Sequence, residues 1–297
     1  PMTPLALALV LTAAVLHAIW NLSAKRAGSG VPFIFAVGVV MTAYYVPLIA
    51  GMAVYWPEKI DLDPVTLAVI GVSTGLKTGY ALFLQRAYRS GDFSLVYPLV
   101  RGSAPLLAIT GAVLFLGERP TPLGIVGALC IVVSIFFLSH GERLWKSSTG
   151  NTTNSAPRLR TLGSALIAGS FIASYTVWDR NGIGYHHINP VLFDGLTNVG
   201  LTLLVAPFAW NRRDEVRAVW RNNRREVLIM AILSPLAYVL VLTALSFSPV
   251  SYVAPAREFS ILIGAYLGAR IFKEPENPRR LKCAIGMIAG LIALALA

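Results

Sequence analysis

Residues 93–122 read FSLVYPLVRGSAPLLAITGAVLFLGERPTP, an apolar run of membrane-crossing length with an arginine inside it and a glutamate at its end. Residues 249–278 read PVSYVAPAREFSILIGAYLGARIFKEPENP, and the common offset of 156 sets Arg257 against Arg101, Glu274 against Glu118 and Pro278 against Pro122. Matched leucines and alanines mean little between two apolar helices. A charged residue inside such a run is costly, so a matched pair of them carries weight. The two stretches read as copies of one element in a duplicated chain.

The rest of the chain agrees. Hydrophobic residues make up 56% of the 297 and charged residues 13%, and the mean hydropathy is +0.66, more apolar surface than a soluble core can bury. A helix rising about 1.5 Å per residue needs roughly 20 apolar residues to cross a hydrocarbon layer about 30 Å thick. Ten stretches qualify, at approximately 4–24, 31–56, 64–88, 93–116, 121–140, 160–180, 189–210, 226–247, 250–270 and 279–297. The first has no basic residue before Leu5 and runs into Trp20, Asn21, Lys25 and Arg26, which marks a retained helix rather than a cleaved leader. The segment 141–159, rich in Ser, Thr and Asn, reads as a cytoplasmic linker between five-helix repeats at 2–140 and 160–297.

Five is odd, so the second repeat enters the membrane from the opposite side. The fold expected is therefore an all-α integral membrane protein, ten transmembrane helices arranged as two inverted five-helix repeats. That arrangement suits alternating access around a site near the bilayer midplane. A second echo supports it: Trp178-Asp179 follows Trp20-Asn21 by 158 positions.

The net charge of +11 lies in the loops. Nineteen Lys and Arg fall on the side reached after odd-numbered helices, against Lys59, Arg119 and Arg180 on the other. Such asymmetry places the basic loops in the cytoplasm and both termini outside it, and makes a nucleic-acid partner unneeded.

Arg101 lies about 12 Å into the fourth helix at the helical rise, and Arg257 at a similar depth in the ninth from the opposite face. Their planar forks suit a carboxylate or phosphonate. Lys77, between Gly75 and Gly79, is a third candidate cation. Counter-ion pairing is the competing reading, for Arg257 with Glu258, Asp179 or Asp194. Pro98 and Pro105 bracket Arg101 while Pro249 and Pro255 precede Arg257, so both helices are expected to be interrupted. Trp20, Asn21, Tyr80, Tyr97, Trp178, Tyr238 and Tyr252 are candidate cavity-lining residues, and His17, Asp179, Asp194 and Glu258 are candidates for coupling. Glu118 and Glu274, at helix ends, read as braces of their turns. Cys130 and Cys283 read as packing residues, His186-His187 as surface, and the sequence offers no catalytic or metal-ligand constellation, so neither an enzyme nor a cofactor is expected.

Gly117 to Pro122, GERPTP, and the first-helix sequence His17-Ala18-Ile19-Trp20-Asn21 followed by Lys25 resemble the EamA branch of the drug/metabolite transporter superfamily. The resemblance covers essentially the whole chain. It implies a carrier of small metabolites or toxic compounds in a bacterial inner membrane, with a central cavity lined by helices 1, 3, 4, 6, 8 and 9. Small four-helix multidrug relatives use a glutamate in their first helix, and here that helix has no carboxylate, only His17 and Asn21 of comparable reach. The first-helix signature also resembles EamA members associated with phosphonate use. The expected protein is a monomeric secondary transporter, an exporter, of a small metabolite with an anionic group such as an amino acid, organic acid or phosphonate. Protons or a counter-substrate would drive it. The alternative is an exporter of apolar or cationic toxic compounds in which the arginines are structural.

Overall fold

The computed structural model describes the backbone of residues 2–27, 30–60, 62–90, 93–138, 155–271 and 278–297, and the side chains of 2–23, 30–60, 62–84, 100–138, 163–267 and 281–297. Among these residues the chain is all-α. The first repeat contributes α1 (Pro4–Ala27), α2 (Val31–Tyr55), α3 (Pro64–Ser90), α4 (Phe93–Leu116) and α5 (Pro122–Leu138). The second contributes α6 (Ser155–Arg180), α7 (Pro190–Trp210), α8 (Arg213–Phe247), α9 (Val250–Arg257), α10 (Phe259–Ile271) and α11 (Pro278–Leu296). Five of the described helical stretches, in α1, α2, α3, α7 and α8, are by length and composition able to cross a membrane; shorter apolar stretches lie in α4, α5 and α11.

Cap-and-proline pairs start several of these helices. Asp63, Thr121 and Asn189 each precede a proline that opens a helix, and their side chains accept from the backbone N–H of Thr66 (2.7 Å), Gly124 (3.1 Å) and Val191 (2.9 Å). The side-chain oxygen satisfies an N–H that the first turn leaves without a partner, and proline at the first helical position forfeits nothing. The Thr66 amide holds the exposed Asp63 carboxyl below the usual carboxylate range. Gly117 ends α4 in the left-handed region, φ 65°, where a Cβ would be strained, and the Glu118 N–H turns back to the Ala112 carbonyl at 3.2 Å.

The repeats are visible in the packing. α1 lies along α8 as α6 lies along α3, and α6 meets α4 as α1 meets α9 and α10. α2 touches α8 as α7 touches α3, while α2 with α7 and α5 with α11 pair each helix with its own counterpart. Counterparts in this scheme are α1 and α6, α2 and α7, α3 and α8, α4 and the α9–α10 pair, α5 and α11. At the α5–α11 crossing a Cβ on Gly127 would stand 2.7 Å from the Gly290 carbonyl oxygen, and one on Gly290 would stand 2.6 Å from that of Gly127. Close backbone approach through small residues is how helices associate where lipid supplies no hydrophobic drive.

Three elements differ from the sequence reading. The ninth span is two helices, α9 and α10, separated at Glu258, whereas α4 runs without interruption through Pro98 and Pro105. The interruption expected in both repeats is present in one. α8 begins at Arg213 rather than near 226, because Asp214 and Glu215 favour its first turn and Arg217 pairs with Asp214 at 3.3 Å; non-helical Asn223 marks the kink into the apolar part. α6 begins at Ser155, inside the segment read as linker, and 139–154 lie outside the described residues.

Candidate functional site

Two clusters of buried charge form where the repeats meet. The first gathers α1, α4 and the α9–α10 break. Arg101, on α4, places Nη1 3.3 Å from Glu258 Oε1 and 3.2 Å from Oε2, and its Nη2 stands 2.8 Å from His17 Nε2. Arg257, the last residue of α9, is buried; its Nε lies 3.8 Å from Glu258 Oε1 and has no hydrogen-bond partner among the described residues. Trp20 packs edge-on against His17 at 4.6 Å between ring centroids, and Asn21 follows it, half-buried.

The break explains how Arg257 and Glu258, adjacent in sequence, both reach this cluster. On a continuous helix successive side chains diverge by about 100°. Here Pro255 removes a backbone donor, α9 stops at Arg257, and the Glu258 N–H returns to the Pro255 carbonyl at 3.1 Å while its own carbonyl receives Ile261 N–H at 2.9 Å.

The second cluster joins α3, α6, α7 and α8. Asp179, fully buried, accepts from Ser73 Oγ at 2.6 Å and from the Tyr238 hydroxyl, and pairs with Lys77 Nζ at 3.2 Å. Lys77 also reaches Thr197 Oγ1 at 3.3 Å and lies over the rings of Tyr238, Phe193 and Tyr175, 4.5, 5.2 and 5.9 Å from their centroids. Each charge in this cluster has a partner of opposite sign, and the aromatic faces add cation–π attraction.

Tyr175 bridges the two clusters. Its ring stands 6.4 Å from Tyr238 and 6.1 Å from Tyr80, and Tyr175 and Tyr238 fall within Coulombic range of Arg257. Trp178 borders the same region with Nε1 donating to the Val69 carbonyl at 2.9 Å.

The arrangement separates the sequence candidates. His17, Trp20, Arg101, Arg257 and Glu258 come together in one cluster, and Lys77, Asp179 and Tyr238 in the other. Asp194, on α7, is buried against α2, takes a 2.6 Å hydrogen bond from Tyr45 and lies within Coulombic range of Lys77 and Asp179, at the edge of the second cluster. Tyr252 is placed away from both: it is 3% exposed, its hydroxyl accepts from the Thr121 N–H at 3.1 Å, and its ring fills the space beside Gly124. The side chain of Tyr97 lies outside the described residues, as does Glu274. Glu118 braces a turn, as its position suggested, and does so across the repeats. Its two oxygens accept from the backbone N–H of Val250 (2.7 Å) and Ser251 (2.9 Å), the start of α9.

Ser73, Thr197, Tyr45, Tyr175 and Phe193 were not anticipated. Two of them were within reach, since Ser73 lies four residues before Lys77 and Tyr175 four before Asp179, the spacing that puts side chains on one helix face.

Among the described residues, Arg101 and Arg257 both lie against the Glu258 carboxylate, and the buried Arg257 Nε has no hydrogen-bond partner there. A guanidinium in that setting attracts an anion strongly. In the second cluster the Lys77 ammonium is paired with Asp179, and Asp194 lies within Coulombic range of both.

Comparison with known proteins agrees with this architecture. Residues 4–140 and 160–296 each match the EamA-like transporter family, one match per repeat. A solved crystal structure, titled only as that of a protein, superposes with a TM-score of 0.75 over 98% of this chain and 96% of its own at 16% identity, a likeness of fold. No curated protein matches the chain. With both halves matched and the whole fold shared, the chain belongs to the EamA-like transporter family.

Proposed function

We propose that this protein is a secondary active transporter of a small metabolite with an anionic group, an amino acid, organic acid or phosphonate, moved by alternating access across a bacterial inner membrane. Arg101 and Arg257, one from each repeat, hold the anionic group. The observation that carries the reading is the buried Arg257 Nε that lacks a hydrogen-bond partner among the described residues, beside a carboxylate that Arg257 shares with Arg101. A buried guanidinium in that condition is costly, and a bound carboxylate or phosphonate would offset the cost with charge-assisted hydrogen bonds. Lys77, paired with Asp179 and Thr197, serves this reading as a fixed counter-ion beside the site. The aromatic rings of Tyr80, Tyr175, Trp178 and Tyr238 would flank the remainder of the substrate.

A rival in which the arginines are structural and the cargo is apolar or cationic accounts for Arg101, which is paired, but leaves the Arg257 Nε without a hydrogen-bond partner among the described residues. A thermal-shift screen of the purified protein separates the two, because a ligand that binds the folded state raises its apparent stability. Small carboxylates and phosphonates should raise the melting temperature. Stabilisation by organic cations and by none of the anions would overturn the proposal.

A further inference from the structure

α8 is longer than a membrane crossing needs, and its surplus is basic. At about 1.5 Å per residue its 35 residues reach about 52 Å, against a hydrocarbon layer of about 30 Å. The apolar part after the Asn223 kink is long enough to cross. Residues 213–222 therefore lie outside the hydrocarbon. Across them and their flanks Arg212, Arg213, Arg217, Arg221, Arg224 and Arg225 face two acids, Asp214 and Glu215.

This stretch does not project into water. Val216 and Val219 are half-buried, and Val219 packs against the core that Phe33 of α2 shares with Val227 and Ala231 of α8. At about 100° per residue Arg213, Arg217 and Arg221 fall within one stripe about 80° wide, and Trp220 lies between that stripe and the valines. The three arginines and Trp220 are exposed, as is Trp210 at the end of α7. Arg217 meets Asp214 at 3.3 Å through one nitrogen, and 77% of its side chain stays exposed.

We infer that residues 213–225 are a surface segment of the membrane domain that holds anionic phospholipid headgroups through Arg213, Arg217 and Arg221. Their planar forks match phosphate oxygens. Trp220 sits at headgroup depth, where its ring is both apolar and polar enough to stay, and the valines turn inward. A basic stripe beside a membrane-crossing helix draws anionic lipid in particular, because a zwitterionic headgroup carries a cation next to the same phosphate. A lipid suits the stripe better than a soluble polyanion does, since the charges border an apolar edge and a tryptophan. The inference stands apart from the anion site at Arg257.

The test is tryptophan quenching in nanodiscs of phosphatidylcholine that contain the full chain and a minor fraction of brominated lipid. The chain has six tryptophans, and subtracting the signal of Trp220→Phe isolates Trp220. Brominated phosphatidylglycerol should quench Trp220 several-fold more than brominated phosphatidylcholine at the same fraction. Raising salt from 0.1 M to 1 M shortens the Debye length from about 10 Å to about 3 Å and should shrink that excess. The triple variant Arg213→Gln, Arg217→Gln, Arg221→Gln should lose the excess, and Asp214→Asn with Glu215→Gln should enlarge it. Equal quenching of wild-type Trp220 by the two lipids, no quenching by either, or a folded triple variant that keeps the excess overturns the inference. Heparin binding without a lipid preference overturns it too, in favour of a soluble partner. Should the triple variant not fold, the wild-type comparison and the acid variant still decide, because an acid variant with no gain contradicts the stripe.

Discussion

Lys77 and Arg257 look alike in the sequence, each a cation within an apolar helix, and their surroundings divide them. Asp179 gathers Lys77, Ser73 and Tyr238, so the carboxylate is a structural hub. Removing it strands a buried ammonium. Asp179→Asn should therefore destabilise the protein by about 3–5 kcal/mol, and adding Lys77→Met should recover part of that loss. Melting of the single and double variants in detergent checks both statements; equal stability of all three proteins would show that the pair carries no structural load. The sequence showed which residues are charged and at what depth, from one rule about cost in hydrocarbon. It did not show that Arg101 would find Glu258, because that contact spans 157 positions and depends on a helix break one residue from Arg257. Tyr252 was misplaced for a related reason. An aromatic near a break can face the interior or the neighbouring turn, and Gly124 left room for the turn.

At the scale of elements, the Glu118 turn and the α9–α10 break act on the same helix from its two ends. Both oxygens of Glu118 are bonded to the first amides of α9, which ties the α4–α5 turn of one repeat to the discontinuous helix of the other. Hydrogen bonds to a charged group contribute about 1.5–3 kcal/mol, so Glu118→Ala should lower stability by an amount of that order and raise amide exchange at Val250 and Ser251. Unchanged exchange there would remove the brace from the account. The break itself should flex. Spin labels across α9 and α10 are expected to change separation when an anionic ligand binds, and labels along continuous α4 to change less; fixed distances in a sample that binds ligand would make the break a static packing feature. Helix positions were readable because apolar length and cap-proline pairs such as Thr121-Pro122 set them locally. The start of α8 was not, since a polar stretch without apolar periodicity reads as loop even when its charges favour a helical turn.

For the whole molecule, duplication was visible in a handful of residues and is repeated in how the helices pair. Orientation rests on loop charge. From nineteen basic residues against three we propose that the crowded side faces the cytoplasm and that both termini lie on the other side. A C-terminal reporter active only in the cytoplasm should be silent, and strong activity would reverse the assignment. Each repeat delivers one arginine to a common carboxylate, an arrangement that suits the proposed anion site between inverted repeats.

Calorimetric titration of Arg257 variants with a small carboxylate or phosphonate that stabilises the wild type tests the anion site most directly. Arg257→Lys keeps the charge and loses the planar fork, so affinity should fall by about 1–3 kcal/mol, and Arg257→Gln, folded and monodisperse, should not bind the anion. Wild-type affinity in folded Arg257→Gln protein, or equal binding of an uncharged analogue to the wild type, would contradict the account.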